Sequence, residues 1–207
     1  MSFLDHRSVP APGAFGSIVT RPGVIAFVLL VVAFILRLPT LANPLIEAMP
    51  WRQTQTAFTS VIYAEEGIDL LNPQVPVLGP PFVVRLEFPI FQAVASVFID
   101  LGIQTEVVMR SLSLLCFLAT AGVLWLMLRR HVNERVALIA LIIFLFSPFA
   151  LLWSRTSMIE YPAALGALLF MFGTLEWHAG NGRRWFVLAA VAGSFAALIK
   201  ITTAVFW

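Results

Sequence analysis

Lys200 is the only lysine in the chain, and it lies in LIKITT, inside an apolar run near the carboxy-terminal end. A charge inside a hydrocarbon layer is expensive and marks function by default, with a partner to be named. The sequence supplies two such partners, Glu87 in RLEFP and Glu160 in SMIEYP, and a bound phosphate is a third. The plain alternative is an ammonium that reaches the outer headgroups along its own stem. Glu160 precedes Tyr161 and Pro162, a pattern that also suits a helix start, where a carboxylate meets the positive end of the macrodipole. It reads either as that cap or as a carboxylate held at the membrane surface, with Arg155 upstream to pair with it or with a phosphate. Arg85 and Glu87 flank one residue, and extended backbone beside Pro89 turns both side chains the same way. They form either a weak surface ion pair or a station where a lipid phosphate arrives. Trp51 and Arg52 suit an interface anchor, while Gln53 and Gln55, with Thr54 and Thr56, offer the neutral hydrogen-bonding groups that sugars need.

These residues must be positioned by helices in a membrane. The chain has 207 residues, 60% hydrophobic and 12% charged, with a mean hydropathy of +0.92, outside the range of an ordinary soluble domain. The expected fold is all-α, a multi-pass helical membrane protein. Five segments suffice for crossing at about 20 apolar residues each, namely 22–36, 111–128, 136–154, 161–177 and 185–207. Arg37 is expected to snorkel at the end of the first. Counted from Trp185, Lys200 falls roughly 22 Å along a core about 30 Å thick. The apolar run 88–99 opens near Pro89 and is short enough to read as an interfacial or re-entrant helix.

The arginines choose the topology. Arg7 with Arg21, Arg129 with Arg130 and Arg135, and Arg183 with Arg184 fall on one side only if 88–99 does not cross. That side is the cytoplasm, with residues 1–21 as a tail. The long loop 43–106, the turn at 155–160 and the outer part of the last span then share the other face. Glu47, Arg52, Arg85, Glu87, Arg155, Glu160 and Lys200 converge there, and the turns HVNER and AGNGRR read as plain connectors. Long loops of this kind are usually functional, and this one has too many aromatic and charged residues to be a disordered tract.

Other classes are excluded or left without support. The net charge of +2 is not gathered into a basic stripe, so there is no footprint for nucleic acid. Cys116 is the single cysteine and the three histidines are far apart, so no disulfide or metal-ligand pattern exists. There is no Walker-type glycine loop, no HExxH and no GxSxG.

The order of RLPTLANP, WRQTQTA, RLEFP, RTSMIEYP and LIKITT resembles membrane glycosyltransferases that use polyprenyl-phosphate sugars. The resemblance is to the family of protein O-mannosyltransferases and lipid A aminoarabinose transferases, and it covers nearly the whole chain. It implies an inverting transfer of one sugar from a polyprenyl-phosphate donor at the outer face of the cytoplasmic membrane. The acceptor is a hydroxyl of a glycan, lipid or protein, and membrane lipids are the remaining partners. It implies Glu87 or Glu47 as the base, with Glu160 orienting the acceptor or a divalent metal, an optional cofactor. Arg85, Arg155 and Lys200 would hold the donor phosphate, and Trp51, Arg52, Gln53 and Gln55 the sugar or acceptor. The family usually carries an aspartate or acidic pair early in the first loop, where this chain has WRQTQTA with Gln55. Glutamine takes no proton, so one of the three glutamates must serve. The relatives are longer, which makes this chain the expected amino-terminal part of an enzyme. A transporter or flippase of a lipid-linked substrate is the competing expectation, since an intramembrane lysine also suits a substrate path. A membrane scaffold leaves the isolated charges unexplained.

Overall fold

The computed structural model describes residues 21–47, 49–75, 80, 82–85 and 87–206. The expected tail at 1–20, and with it Arg7, lies outside the described residues, as does Leu86 of RLEFP. Eight α-helices follow one another among the described residues: α1 Pro22–Ile35, α2 Pro50–Glu66, α3 Ile90–Asp100, α4 Thr105–His131, α5 Glu134–Phe146, α6 Pro148–Trp153, α7 Glu160–His178 and α8 Arg183–Ile199. Short 3-10 turns at Leu38–Thr40 and Ile201–Phe206 extend α1 and follow α8. The only β pairing among the described residues is an isolated bridge between Gln74 and Val83. Helices α1, α4, α5, α7 and α8 form the bundle, and α2 and α3 pack on each other and on α4.

Among the described residues two helical segments are long and apolar enough to cross a membrane, Pro22–Thr40 and Thr105–His131. The other expected spans depart from continuous helices for local reasons. The segment 136–154 breaks between Phe146 and Pro148, where proline has no N–H to continue the ladder. Ser147 caps the new start, its hydroxyl accepting from Ala150 N at 3.2 Å. The segment 185–207 breaks at Lys200, whose backbone is extended, with φ −153° and ψ 96°. Lys200 therefore stands at a helix end and not inside a helix. The loop 43–106 contains two helices, α2 and α3, with WRQTQTA forming the first turns of α2 after Pro50. Helix α3 has 11 residues, too short to cross the hydrocarbon core.

Helix α1 turns Ala26 and Ala33 inward, two turns apart, and leaves Phe27, Val28 and Ile35 exposed. Small residues at the contact and bulky ones outside are the pattern of helices solvated by lipid. The interior centres on Phe117, stacked on Phe144 and edge-on to Tyr161. Arg37 does not snorkel. It is buried, donating to Ser154 Oγ at 2.5 Å and to the Ala33 and Leu145 carbonyls at 2.8 Å each. Its guanidinium lies 4.7 Å from the centre of the Phe117 ring. Burial is tolerated because hydrogen bonds and an aromatic face replace water.

Helices α7 and α8 make the closest contact, because Gly166 and Gly173 face Ala192, Ala196 and Ala189. The far end of the bundle is also tied. Glu176 is fully buried, with Oε1 2.8 Å from Arg130 Nε and 3.0 Å from His131 Nε2. Its Oε2 accepts from Asn181 Nδ2 at 2.7 Å. HVNER and AGNGRR are thus not plain connectors, since one carboxylate from α7 holds a residue of each. Glu176→Ala is expected to destabilise the protein by about 1.5–3 kcal/mol, the range for a hydrogen bond to a charged group. A melting temperature in detergent unchanged from wild type would count against this tie.

Candidate functional site

The break at Lys200 builds the site. Ending α8 at Ile199 leaves carbonyls of its last turn without helical partners. One of them, Leu198 O, accepts from Phe88 N at 3.2 Å, which fastens the segment around Glu87 to the end of α8. Lys200 Nζ meets Glu160 Oε1 at 2.9 Å across the top of the α7–α8 pair. Glu160 is the first residue of α7, where the macrodipole favours its charge. From the other side, α2 contributes Arg52, whose guanidinium lies 3.0 Å from Glu87 Oε2.

These groups surround a cleft of about 800 Å³, lined by Arg52, Arg85, Glu87 and Lys200 with Leu71 and Phe88. Arg85 does not pair with Glu87. Its Nε donates to the Leu71 carbonyl at 3.0 Å and its terminal nitrogen to Asn72 Oδ1 at 2.7 Å. The turn that carries these acceptors is itself fixed. Asn72 Nδ2 and the Leu71 amide hold the Asp69 carboxylate below the usual carboxylate range. The Tyr63 hydroxyl donates to the Asp69 carbonyl at 2.5 Å, and burial pushes that hydroxyl up to about 12.

The remaining expected residues form a second group behind α2. Glu47 Oε2 lies 3.4 Å from Arg155 Nε and 3.7 Å from a terminal nitrogen of Arg110, and Asn43 Nδ2 donates to Glu47 Oε1 at 3.2 Å. Gln53 is buried, donating to Glu47 O at 2.8 Å and accepting from Ser157 N at 3.1 Å. Arg155 therefore meets Glu47 and not Glu160, and none of Glu47, Gln53 and Arg155 lines the cleft. Gln55 is buried and accepts from Arg52 at 3.4 Å, and Trp51 is 55% exposed at the start of α2.

Arg110 escaped the sequence reading. It is fully buried in α4, with one terminal nitrogen donating to Pro44 O at 2.8 Å and the other to the Arg155 carbonyl. The signal was present: an arginine next to an 18-residue uncharged stretch, taken only as its boundary. Arg110→Met is expected to destabilise the protein by about 3 kcal/mol, because Glu47 and two carbonyls lose a buried donor. Thermal unfolding in detergent reads this, and a melting temperature unchanged from wild type would show the node to be dispensable.

A second cavity of about 250 Å³ lies beside Glu160, walled by Phe144, Phe149, Trp153 and Tyr161. Among the described residues no three His, Cys, Asp or Glu side chains cluster to hold a metal.

Small residues at helix contacts, bulky apolar residues outward and a charged cleft at one end define a helical membrane protein. The chain matches the model of the dolichyl-phosphate-mannose-protein mannosyltransferase family over residues 86–207, and it belongs to that family. This is a family of membrane glycosyltransferases that draw on polyprenyl-phosphate sugars. The matched stretch contains Glu87, Arg110, Arg155, Glu160 and Lys200, whereas Glu47, Trp51, Arg52, Gln53 and Gln55 precede it. No curated protein and no solved structure matches the chain.

Proposed function

We propose that the protein takes part in inverting transfer of a sugar from a polyprenyl-phosphate donor to an acceptor hydroxyl at the outer face of the cytoplasmic membrane. The observation that carries this reading is the cleft, where three cations and a carboxylate from three separate segments face one volume. Lys200, Arg52 and Arg85 meet the phosphate, whose negative charge grows as the bond to the anomeric carbon breaks. A carboxylate takes the proton of the acceptor hydroxyl while its oxygen attacks that carbon and the electron pair of the old bond leaves with the phosphate. Glu87 and Glu160 stand at or beside the cleft, each held by one cation. Glu47, gripped by two arginines and absent from the cleft lining, is the weakest of the three candidates.

A five-span topology fits this assignment. Arg130 reaches Glu176 beside Asn181, so the turns carrying Arg129, Arg135, Arg183 and Arg184 share the end of the bundle opposite Lys200 and Glu160. That supports a cytoplasmic placement for them. In this reading α5 with α6 makes one kinked crossing, and α2 and α3 lie at the outer surface.

The test is glycosyl transfer from a polyprenyl-phosphate sugar by the full-length enzyme in membranes. Glu87→Gln and Glu160→Gln are each expected to reduce transfer by roughly a hundredfold or more, with normal accumulation in the membrane. Full activity in both variants would remove the assignment. Movement of the lipid-linked sugar across the bilayer, with no glycosidic bond formed, would establish a transporter instead.

A further inference from the structure

We infer that the 250 Å³ aromatic cavity is a subsite for an apolar group of the acceptor, and that Glu160 is the carboxylate that meets the acceptor hydroxyl. This rests on the glycosyl-transfer reading above. Three observations point the same way. The cavity walls are mostly the rings of Phe144, Phe149, Trp153 and Tyr161, with Ala150 and Ala164 and the single small hydroxyl of Ser147, a predominantly apolar lining that suits hydrocarbon. Glu160 is the charged member of that lining, and its Oε2 is screened from solvent with no hydrogen-bond partner among the described residues. A shielded acceptor atom without a donor is costly, and a turn of the Glu160 side chain toward the cavity it lines would let an acceptor hydroxyl there supply the donor.

The third observation is the placement of the two cavities. Lys200 lines the large cleft and Glu160 the small cavity, and their 2.9 Å ion pair links the lining of one to the lining of the other. Displacement with inversion needs the nucleophile and the leaving group on opposite faces of the anomeric carbon. A phosphate on the Lys200 side and a hydroxyl on the Glu160 side meet that requirement. The hydroxyl proton passes to Glu160, the hydroxyl oxygen bonds to the anomeric carbon, and the carbon–phosphate oxygen bond breaks with its electrons leaving on the phosphate. Glu87 then stays with Arg52 on the donor side. Ser147, at the break before Pro148, is part of the lining, as is Phe149, which is 65% exposed on the flank of the bundle. An acceptor with an apolar body has a direct entry there.

The experiment uses linear primary alcohols as surrogate acceptors, with the full-length enzyme in membranes and a polyprenyl-phosphate sugar as donor. Ala164→Trp fills the cavity, and Ala164→Leu is a smaller filling that serves if the tryptophan variant fails to accumulate. The expected result is a fall of at least about tenfold in the ratio of transfer to n-octanol over transfer to ethanol, with the donor KM within about twofold of wild type. Comparing variant with wild type removes the effect of alcohol partitioning into the bilayer. Trp153→Ala should move the preferred alcohol to a longer chain. An unchanged octanol-to-ethanol ratio in the filled variants overturns the inference. So does a raised donor KM with the alcohol ratio unchanged, which would assign the cavity to the donor's own hydrocarbon tail. Absence of any transfer by the wild-type enzyme would instead overturn the glycosyl-transfer reading.

Discussion

Lys200→Met is expected to lower glycosyl transfer by roughly a hundredfold or more in kcat, comparable to losing one donor from a preorganised oxyanion site. Two effects add in the same direction. The departing phosphate loses the one ammonium of the cleft, since Lys200 is the only lysine of the chain. Glu160 also loses its partner at 2.9 Å, and with it the contact that joins the start of α7 to the end of α8. Lys200→Arg keeps the charge but replaces a compact point donor by a planar fork, so partial recovery is expected. Initial rates with full-length enzyme in membranes give kcat and the donor KM separately. Activity of Lys200→Met within about fivefold of wild type would remove Lys200 from the chemistry and return it to a snorkelling anchor.

The second large effect is mechanical. A Cβ added to Gly166 meets Ala192 O and Ala196 Cβ at 2.9 Å, and one added to Gly173 meets the Trp185 carbonyl at 3.0 Å. Replacing a helical glycine gains about 1 kcal/mol of intrinsic helix propensity, so Gly166→Ala sets that gain against a clash of similar size. Gly166→Leu adds three further carbons where the neighbour is backbone, and overpacking wins by about 3 kcal/mol or more. The consequence reaches the site, because Gly166 lies six residues from Glu160 and Ala196 four residues before Lys200. Gly166→Leu is therefore expected to depress both melting temperature and transfer. Gly122→Ala is the control, since nothing lies within 4 Å of its added Cβ. Equal stability of Gly122→Ala and Gly166→Leu would show that the α7–α8 seam is not close packed.

How much of this was legible in the sequence follows from the range of the forces involved. Helix positions come from local hydropathy and proline, so α1, α4, α7 and α8 fall close to the apolar runs that announced them. The sequence offered Glu87, Glu160 or a phosphate as partner for Lys200, because few charges exist at that depth, and the structure pairs it with Glu160. Of the two readings of Arg85 and Glu87, the mutual ion pair fails, because neighbours in sequence looked like neighbours in charge. The carbonyl of Leu71 and the guanidinium of Arg52, which claim them, arrive from other segments. Arg37, Arg110 and Glu176 were missed as buried groups for the same reason. A buried charge is satisfied by carbonyls and side chains distant in sequence, such as Leu145 O for Arg37 and Pro44 O for Arg110. The break at Lys200 was hidden because hydropathy continues across it through Ile201.

The glycine seam has a further consequence for how the cleft works. With α7 and α8 in contact down to their backbones, the wall carrying Lys200 is the more closely packed of the two. The opposing wall, from α2 and the strip around Arg85 and Glu87, is fastened to it by slighter means. These include the Phe88 bond to Leu198 O, while the Arg52–Glu87 contact joins two parts of that wall to each other. Any closure around a substrate is therefore expected to come from that opposing wall.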